Sequence, residues 1–277
     1  MRELMREHGL DIDPVADGKI HRFRGPEDKN LNGWYVFHGD HGAFGNWRTM
    51  GDTHIPWSNR GDLSASELRE LRAKISTAKK KRGREEKARH DTVAKQAETE
   101  WKKATPCIGH TYLNKKGVLS HGLKVYGVHL LVPMYLDGKL WSLQKIAPDG
   151  TKRFLTGGKV SGCYYPIGRP RERLWLAEGY ATAATLHELT GDAVACCFNA
   201  GNLAKVATTL YRKLPGIRIT VGADNDKTGL ESASRAAAIA GGKFIYPEFD
   251  DGDTGTDWND FAAAYGRKFT REAIRGC

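Results

Sequence analysis

No apolar run in the 277 residues approaches the ~20 needed to cross a bilayer. The opening stretch, Met1 to Leu10, has no signal-peptide core. The expectation is therefore a cytoplasmic protein with no membrane partner. Cysteine is sparse: Cys107, Cys163, Cys196, Cys197 and Cys277 are odd in number and form no CxxC. That excludes a disulfide framework and a zinc ribbon, and no zinc is expected. Cys196 and Cys197 lie in the apolar run Ala193 to Phe198 and read as core. His38 and His41 have no cysteine nearby, so they read as surface or packed histidines before metal ligands. There is no GxxxxGK[ST], which excludes a P-loop motor within these residues.

Acidic residues are scarce in one part of the chain. Residues 1–169 carry 30 Lys/Arg against 19 Asp/Glu, whereas residues 170–277 carry 13 against 14, for a net charge of +10. This split suggests a polyanion bound by one part and a cation by the other, although a solvated basic face gives the same count.

Four segments are expected. Residues 1–62, rich in glycine, histidine and aromatics, predict a small β-rich module with turns near Asp17-Gly18 and Gly39-Asp40. Its Trp34, Phe37, Phe44 and Trp47 fit either stacking on bases or core packing. Residues 63–104 predict a charged helical connector, one helix or two around Gly83, opened by a capping box of Ser64 and Glu67. Its run Lys79 to Arg84 suits a solvated face or a phosphate contact equally. Residues 105–170 predict a basic α+β subdomain, mostly strands, with a hairpin turn at Asp137-Gly138. Lys145, Lys152, Arg153 and Lys159 fall there at strand-like spacing, so that several are expected on one surface.

Residues 171–277 alternate strand and helix. Strands are predicted at Leu174–Ala177, Ala193–Phe198, Ile217–Val221 and Lys243–Tyr246, with helices at Tyr180–Leu189, Leu203–Lys213, Gly229–Ala240 and Asn259–Tyr265. That alternation implies an α/β fold with a parallel sheet covered on both faces. The first strand stops at Glu178-Gly179 and the third at Asp224-Asn225-Asp226, and ligands of such sheets bind at the carboxyl ends of the strands. With Asp257-x-x-Asp260, these acids form a candidate site for a hard divalent cation. The alternative is a set of turn formers and caps at loop tips, with Asp257 as a helix N-cap.

Three stretches resemble the TOPRIM domain shared by bacterial-type primases, topoisomerases and some nucleases: Leu174 to Gly179, Val221 to Gly229, and Thr256 to Phe261. The Asp-Asn-Asp-x-x-Gly and Asp-Trp-Asn-Asp forms are most similar to TOPRIM primases of phages, plasmids and mobile elements. Upstream, Val132 to Tyr135, Leu143 to Ile146, Lys152 to Leu155 and Gly158-Lys159 resemble the basic segment that precedes TOPRIM in those primases. The resemblance implies a DNA primase that makes short RNA primers on single-stranded DNA in replication. Glu178, Asp224 and Asp226 would be catalytic, and these with Asp257 and Asp260 would hold Mg2+ or Mn2+. Lys145, Lys152, Arg153, Lys159, Asn199 and Lys227 would bind nucleoside triphosphate or template. The implied partners are single-stranded DNA, nucleoside triphosphates and a separate helicase, or a longer parent chain. The Cys/His zinc finger that opens many such primases has no counterpart here. A TOPRIM nuclease and a non-catalytic nucleic-acid binder are the rival readings.

Overall fold

In a computed structural model of the protein, residues 1–50, 53–61 and 63–276 are described; Cys277 lies outside them. The chain separates into two units, Met1–Lys87 and Ala88–Cys277.

The first unit opens with a helix that the sequence pattern does not announce, α1 (Arg2–Glu7), and continues into β1 (Ile20–Phe23), β2 (Gly33–Phe37), β3 (His41–Asn46) and β4 (Ile55–Ser58). These four strands make an antiparallel meander in chain order. The predicted turn at Gly39-Asp40 joins β2 to β3, with Gly39 at φ +96°. Asp17-Gly18 is not a hairpin, because no strand precedes it: Asp17 accepts from the Lys19 amide, and the chain then enters β1. Core packing accounts for Trp34 and Phe44, which are buried on opposite faces of the sheet. Trp47 stacks on Trp34 at 5.1 Å, and Phe37 meets Trp57 edge to face.

A single helix, α2 (Ala65–Lys103), follows and runs 39 residues through Gly83 without a break. Its start is the predicted capping box: the Glu67 amide donates to Ser64 Oγ at 3.3 Å, and the Ser64 amide donates to Glu67 Oε2 at 2.8 Å.

Beyond α2, a second sheet is built from β5 (Thr105–Pro106), β6 (Lys124–Tyr126), β7 (His129–Leu136), β8 (Lys139–Ile146) and β9 (Lys152–Phe154), antiparallel and in chain order. One short helix, α3 (Thr111–Lys116), interrupts it. Asp137 and Gly138 join β7 to β8 with φ of +54° and +75°, the pair of positive values that a type I′ hairpin turn requires. Leu131, Leu140, Leu143 and Leu155 pack with Val93 and Ala97 from the last turns of α2.

The third sheet carries the alternating pattern. β11 (Arg173–Ala177), β12 (Ala193–Cys196), β13 (Arg218–Gly222) and β14 (Lys243–Ile245) are parallel, and β10 (Tyr165–Ile167) adds an antiparallel edge to β12. The order is β10-β12-β11-β13-β14, so the chain reverses direction about β11. The helices are α4 (Tyr180–Thr190), α5 (Ala200–Lys213), α6 (Lys227–Ala240), α7 (Trp258–Tyr265) and α8 (Arg267–Gly276). One layer buries Trp175, Tyr180, Leu186 and Trp258, and the other buries Leu176, Leu203, Val206 and Ile219. Successive β11 residues thus enter opposite cores, as a strand covered on both faces demands. Cys196 and Cys197 divide between the same two layers. Among the described residues, no helix is long and apolar enough to cross a membrane.

Candidate active site

Each of the two central strands, β11 and β13, hands its chain to an acid. Glu178 follows β11 directly, and its carboxylate faces the Ala200 amide at the start of α5. Asp224 stands two residues past β13, after Ala223 has bonded to the Ile245 carbonyl at 2.8 Å. Asn225 fastens the loop, donating from its backbone to Thr256 (2.7 Å) and from its side chain to Pro247 (2.9 Å). Asp226 caps α6 by accepting from the Gly229 amide at 2.7 Å. A Cβ on Gly229 would lie 2.5 Å from the Asp224 carbonyl oxygen, which explains why the Asp-Asn-Asp-x-x-Gly form ends in glycine. Asp257 caps α7, accepting from the Asn259 and Asp260 amides at 2.7 and 2.9 Å. Cap and site are therefore not alternatives for Asp226 or Asp257: the helix N-termini offset part of the charge the cluster gathers.

The acids act on one another. Burial, then Glu178, Asp257 and Asp226, push the Asp224 carboxyl up to about 7, with Lys152 opposing. Burial likewise raises Glu178, against the Ala200 amide; Asp226 and Asp257 add to the rise and Lys152 opposes it. Asp224 Oδ1 is buried without a hydrogen-bond partner. An orphaned carboxylate oxygen among mutually repelling carboxylates fits a divalent cation, and an all-oxygen donor set suits a hard one.

The basic residues divide. Direct opposition across the β8–β9 pair puts Lys145 and Arg153 on one side of the sheet, and the strand's period of two puts Lys152 on the other. Of the residues expected to share a surface, Lys145 and Arg153 do, and Lys152 does not. Lys152 alone among them faces Glu178 and Asp224; its ammonium lies 5.7 Å from the Tyr112 ring centroid. Lys145 Nζ is 2.7 Å from Glu100 on α2, and Lys159 Nζ lies 5.5 Å from the Trp141 ring centroid. Asn199 is the N-cap residue of α5 with no side-chain cap bond, and Lys227 is exposed in the first turn of α6.

Asp260 has a different neighbour from the other acids. Lys116 Nζ at the end of α3 lies 2.8 Å from it, while the buried Asn259 amide reaches the Lys116 carbonyl (2.7 Å) and Thr185 Oγ1 (2.9 Å). The Asp-Trp-Asn-Asp stretch thus fastens α3 to α4 and α7. Sequence reasoning missed Tyr112, Lys116 and Ala200: six-residue α3 carries no periodic signal, and a backbone amide carries none at all.

In the first unit, Asp40, His41 and Glu67 offer atoms within 4.8 Å of one another. Arg60 bonds to Glu67 and reaches Asp40 at 3.4 Å, so a guanidinium already supplies the positive charge between these carboxylates.

The Toprim domain model matches residues 173–268, the segment that holds all five acids. That segment is similar to the Toprim domain, a class whose members bind divalent metals, and the resemblance drawn from its three motifs is borne out. Over most of its length the chain is similar to two DNA primases named TraC from Escherichia coli. It is 32% identical to one over 270 residues, 87% of this chain and 25% of the relative, and 33% identical to the other over 264 residues, 85% and 18%. The chain thus spans about a quarter or less of the length of these relatives. Among solved structures, the primase fragment of the bacteriophage T7 primase-helicase protein aligns at a TM-score of 0.48 with 14% identity, over 62% of this chain and 76% of that one. The DnaG primase catalytic domain bound to single-stranded DNA gives 0.48 with 12% identity, over 68% and 80%.

Proposed function

We propose that the chain is the catalytic core of a DNA primase, joining ribonucleotides into short primers on single-stranded DNA during replication of a plasmid, phage or other mobile element. Toprim acids alone serve several reactions, so the observation that carries the reading is the extent of the match. The TraC similarity spans 87% of the chain and therefore takes in the basic sheet as well as the Toprim segment.

Glu178, Asp224, Asp226 and Asp257 would hold Mg2+ or Mn2+, with Asp260 at the margin. The ion, when bound, supplies the charge neutralisation that an attacking 3′-hydroxyl and a departing pyrophosphate need. Lys152 places an ammonium beside the acids, where the phosphates of an incoming nucleoside triphosphate would lie. Glu178, raised by burial, suits the role of proton acceptor from the 3′-hydroxyl at its carboxylate. Asn199 and Lys227 stand at the starts of α5 and α6, where backbone amides add to phosphate binding. Lys145, Arg153 and Lys159 would guide the template. A separate helicase supplies the single strand, and the setting is the cytoplasm.

The test uses unprimed single-stranded DNA, labelled nucleoside triphosphates and Mg2+, with Glu178→Gln as control. Short labelled products that vanish in the variant are expected. Shortening of the template with no triphosphate incorporated would replace the primase reading with a nuclease.

A further inference from the structure

Lys152 does not reach the acids unaided. Lys152 and Phe154 lie two apart on β9 and so project to one side of its sheet. There each side chain meets a ring. Phe154 packs edge to face on Phe198 with centroids 6.2 Å apart, and Lys152 Nζ lies over the Tyr112 ring at 5.7 Å from its centroid. Phe198 holds φ +73°, a constrained value for a bulky residue, and stands two positions before Ala200, whose amide faces Glu178. A Cβ built on Gly179 would lie 3.8 Å from Lys152 Nζ, so the ammonium sits beside the turn that carries Glu178.

Tyr112 is fixed where the lysine is not. It is buried near the start of α3, where its amide donates to the capping His110 at 3.2 Å. The far end of the same six-residue helix is tied through Lys116 to Asn259 and Asp260. The Tyr112 hydroxyl faces the Ala181 amide at the start of α4, three residues after Glu178. An aromatic face attracts an ammonium without neutralising it, so the charge stays available to a phosphate. Lysine has a long, freely rotating stem; without the ring its ammonium spreads over many positions, and nucleotide binding must then order it.

We propose that Tyr112 is a positioning residue, whose ring holds the Lys152 ammonium at the Glu178-Gly179 turn to meet the phosphates of an incoming nucleoside triphosphate. Helix α3 thereby sets nucleotide affinity through Lys152. This role rests on Lys152 being a phosphate contact, as in the primase reading.

Calorimetric titration of the full chain with Mg2+ and α,β-methylene ATP, which cannot release pyrophosphate, tests it. Tyr112→Leu should weaken binding about three- to tenfold. Tyr112→Phe, which keeps the ring, should recover most of that loss. In a Lys152→Ala background Tyr112→Leu should have no further effect, whereas two independent losses would add. Additive losses, or Tyr112→Phe no better than Tyr112→Leu, overturn the proposal and leave the phosphate contact standing. Parent-like binding by Lys152→Ala, or no binding by the parent, overturns both. The contact is also read without nucleotide. The Lys152 ε-methylene protons, shifted upfield by the ring, should return to the ordinary lysine position in Tyr112→Leu and not in Tyr112→Phe; no shift in the parent overturns the proposal. Tyr112→Met serves where Tyr112→Leu does not fold. If binding follows the expected pattern in a protein that makes no primers, the positioning role holds and only the primase reading falls.

Discussion

The alpha carbon of Gly229 faces the carbonyl oxygen of Asp224 so closely that a methyl group there would stand 2.5 Å from it. Helix α6 therefore starts where it does only because residue 229 has no side chain. Gly229→Ala should push the Asp224 loop outward, costing about 1–3 kcal/mol of stability and, on the proposed primase function, most of the primer synthesis. Thermal melts with and without Mg2+ check this: the metal-induced rise in Tm should shrink more than the metal-free Tm falls.

Asp224 should be costly to keep in the metal-free protein. Its folded carboxyl titrates near 7, well above an unfolded aspartate, so the folded state binds the extra proton and loses stability as pH climbs from about 4 to 7. Asp224→Asn removes that loss. In EDTA at pH 8 the variant should be more stable than the parent by about 1–3 kcal/mol, with little difference at pH 4. On the proposed primase function it should also abolish primer synthesis. Denaturant melts at the two pH values measure the first effect, and a lower stability at pH 8 would count against carboxylate repulsion.

Lys145 is held by Glu100 at 2.7 Å, with both side chains largely buried. Lys145→Ala strands a carboxylate, whereas Lys145→Ala/Glu100→Ala does not. If Lys145 also guides the template, the double variant should recover stability and still bind single-stranded DNA several-fold more weakly. Recovery of both would confine Lys145 to the ion pair.

Glu188 accepts from the Leu119 amide and His121 Nε2, and from Arg267 at the start of α8. Burial alone would raise its carboxyl; these three partners outweigh burial and hold it below the usual range. The stability it confers is present above the unfolded glutamate value near 4.3 and is lost as pH falls through the lower folded value. Glu188→Gln should cost about 1–3 kcal/mol at pH 7, and progressively less as pH falls through the lower folded value. Urea melts across that range give the curve.

Arg82 lies over the Trp47 ring at 5.1 Å, which occupies one member of the basic run. Replacing Lys79 to Arg84 with glutamines should flatten the salt dependence of single-strand binding by about one unit of slope for each phosphate that the run neutralises. An unchanged slope would make the run a solvated face.

The features legible from the chain alone were those set by local chemistry. The Ser64–Glu67 box, the Asp137-Gly138 turn and the acids at strand ends each depend on residues a few positions apart. What escaped depends on distant partners. Helix α3 is six residues long, too short to hold without the His110 cap, the αL cap at Gly117 and the Asn259 and Asp260 bonds to Lys116. Helix α8 buries only a few side chains, Thr270 and Ile274 among them, although its apolar and charged residues are sharply segregated between its faces. Whether Lys152 or Arg153 faces the acids is decided by the pairing register of β9, which no single strand's sequence reveals.

The four cysteines of the described residues are all buried. Burial raises the thiols of Cys163 and Cys196 to about 11 and 12 and that of Cys197 well above its usual range. Folding therefore withholds them from alkylating reagents, and each is released only when its own part of the chain opens. Cys107 samples the segment before α3, Cys163 the approach to β10, and the Cys196-Cys197 pair the end of β12. In a Cys277→Ser background the protein carries its own set of timed reporters. Labelling rates read by mass spectrometry would rank which parts of the second unit breathe first, with no probe added.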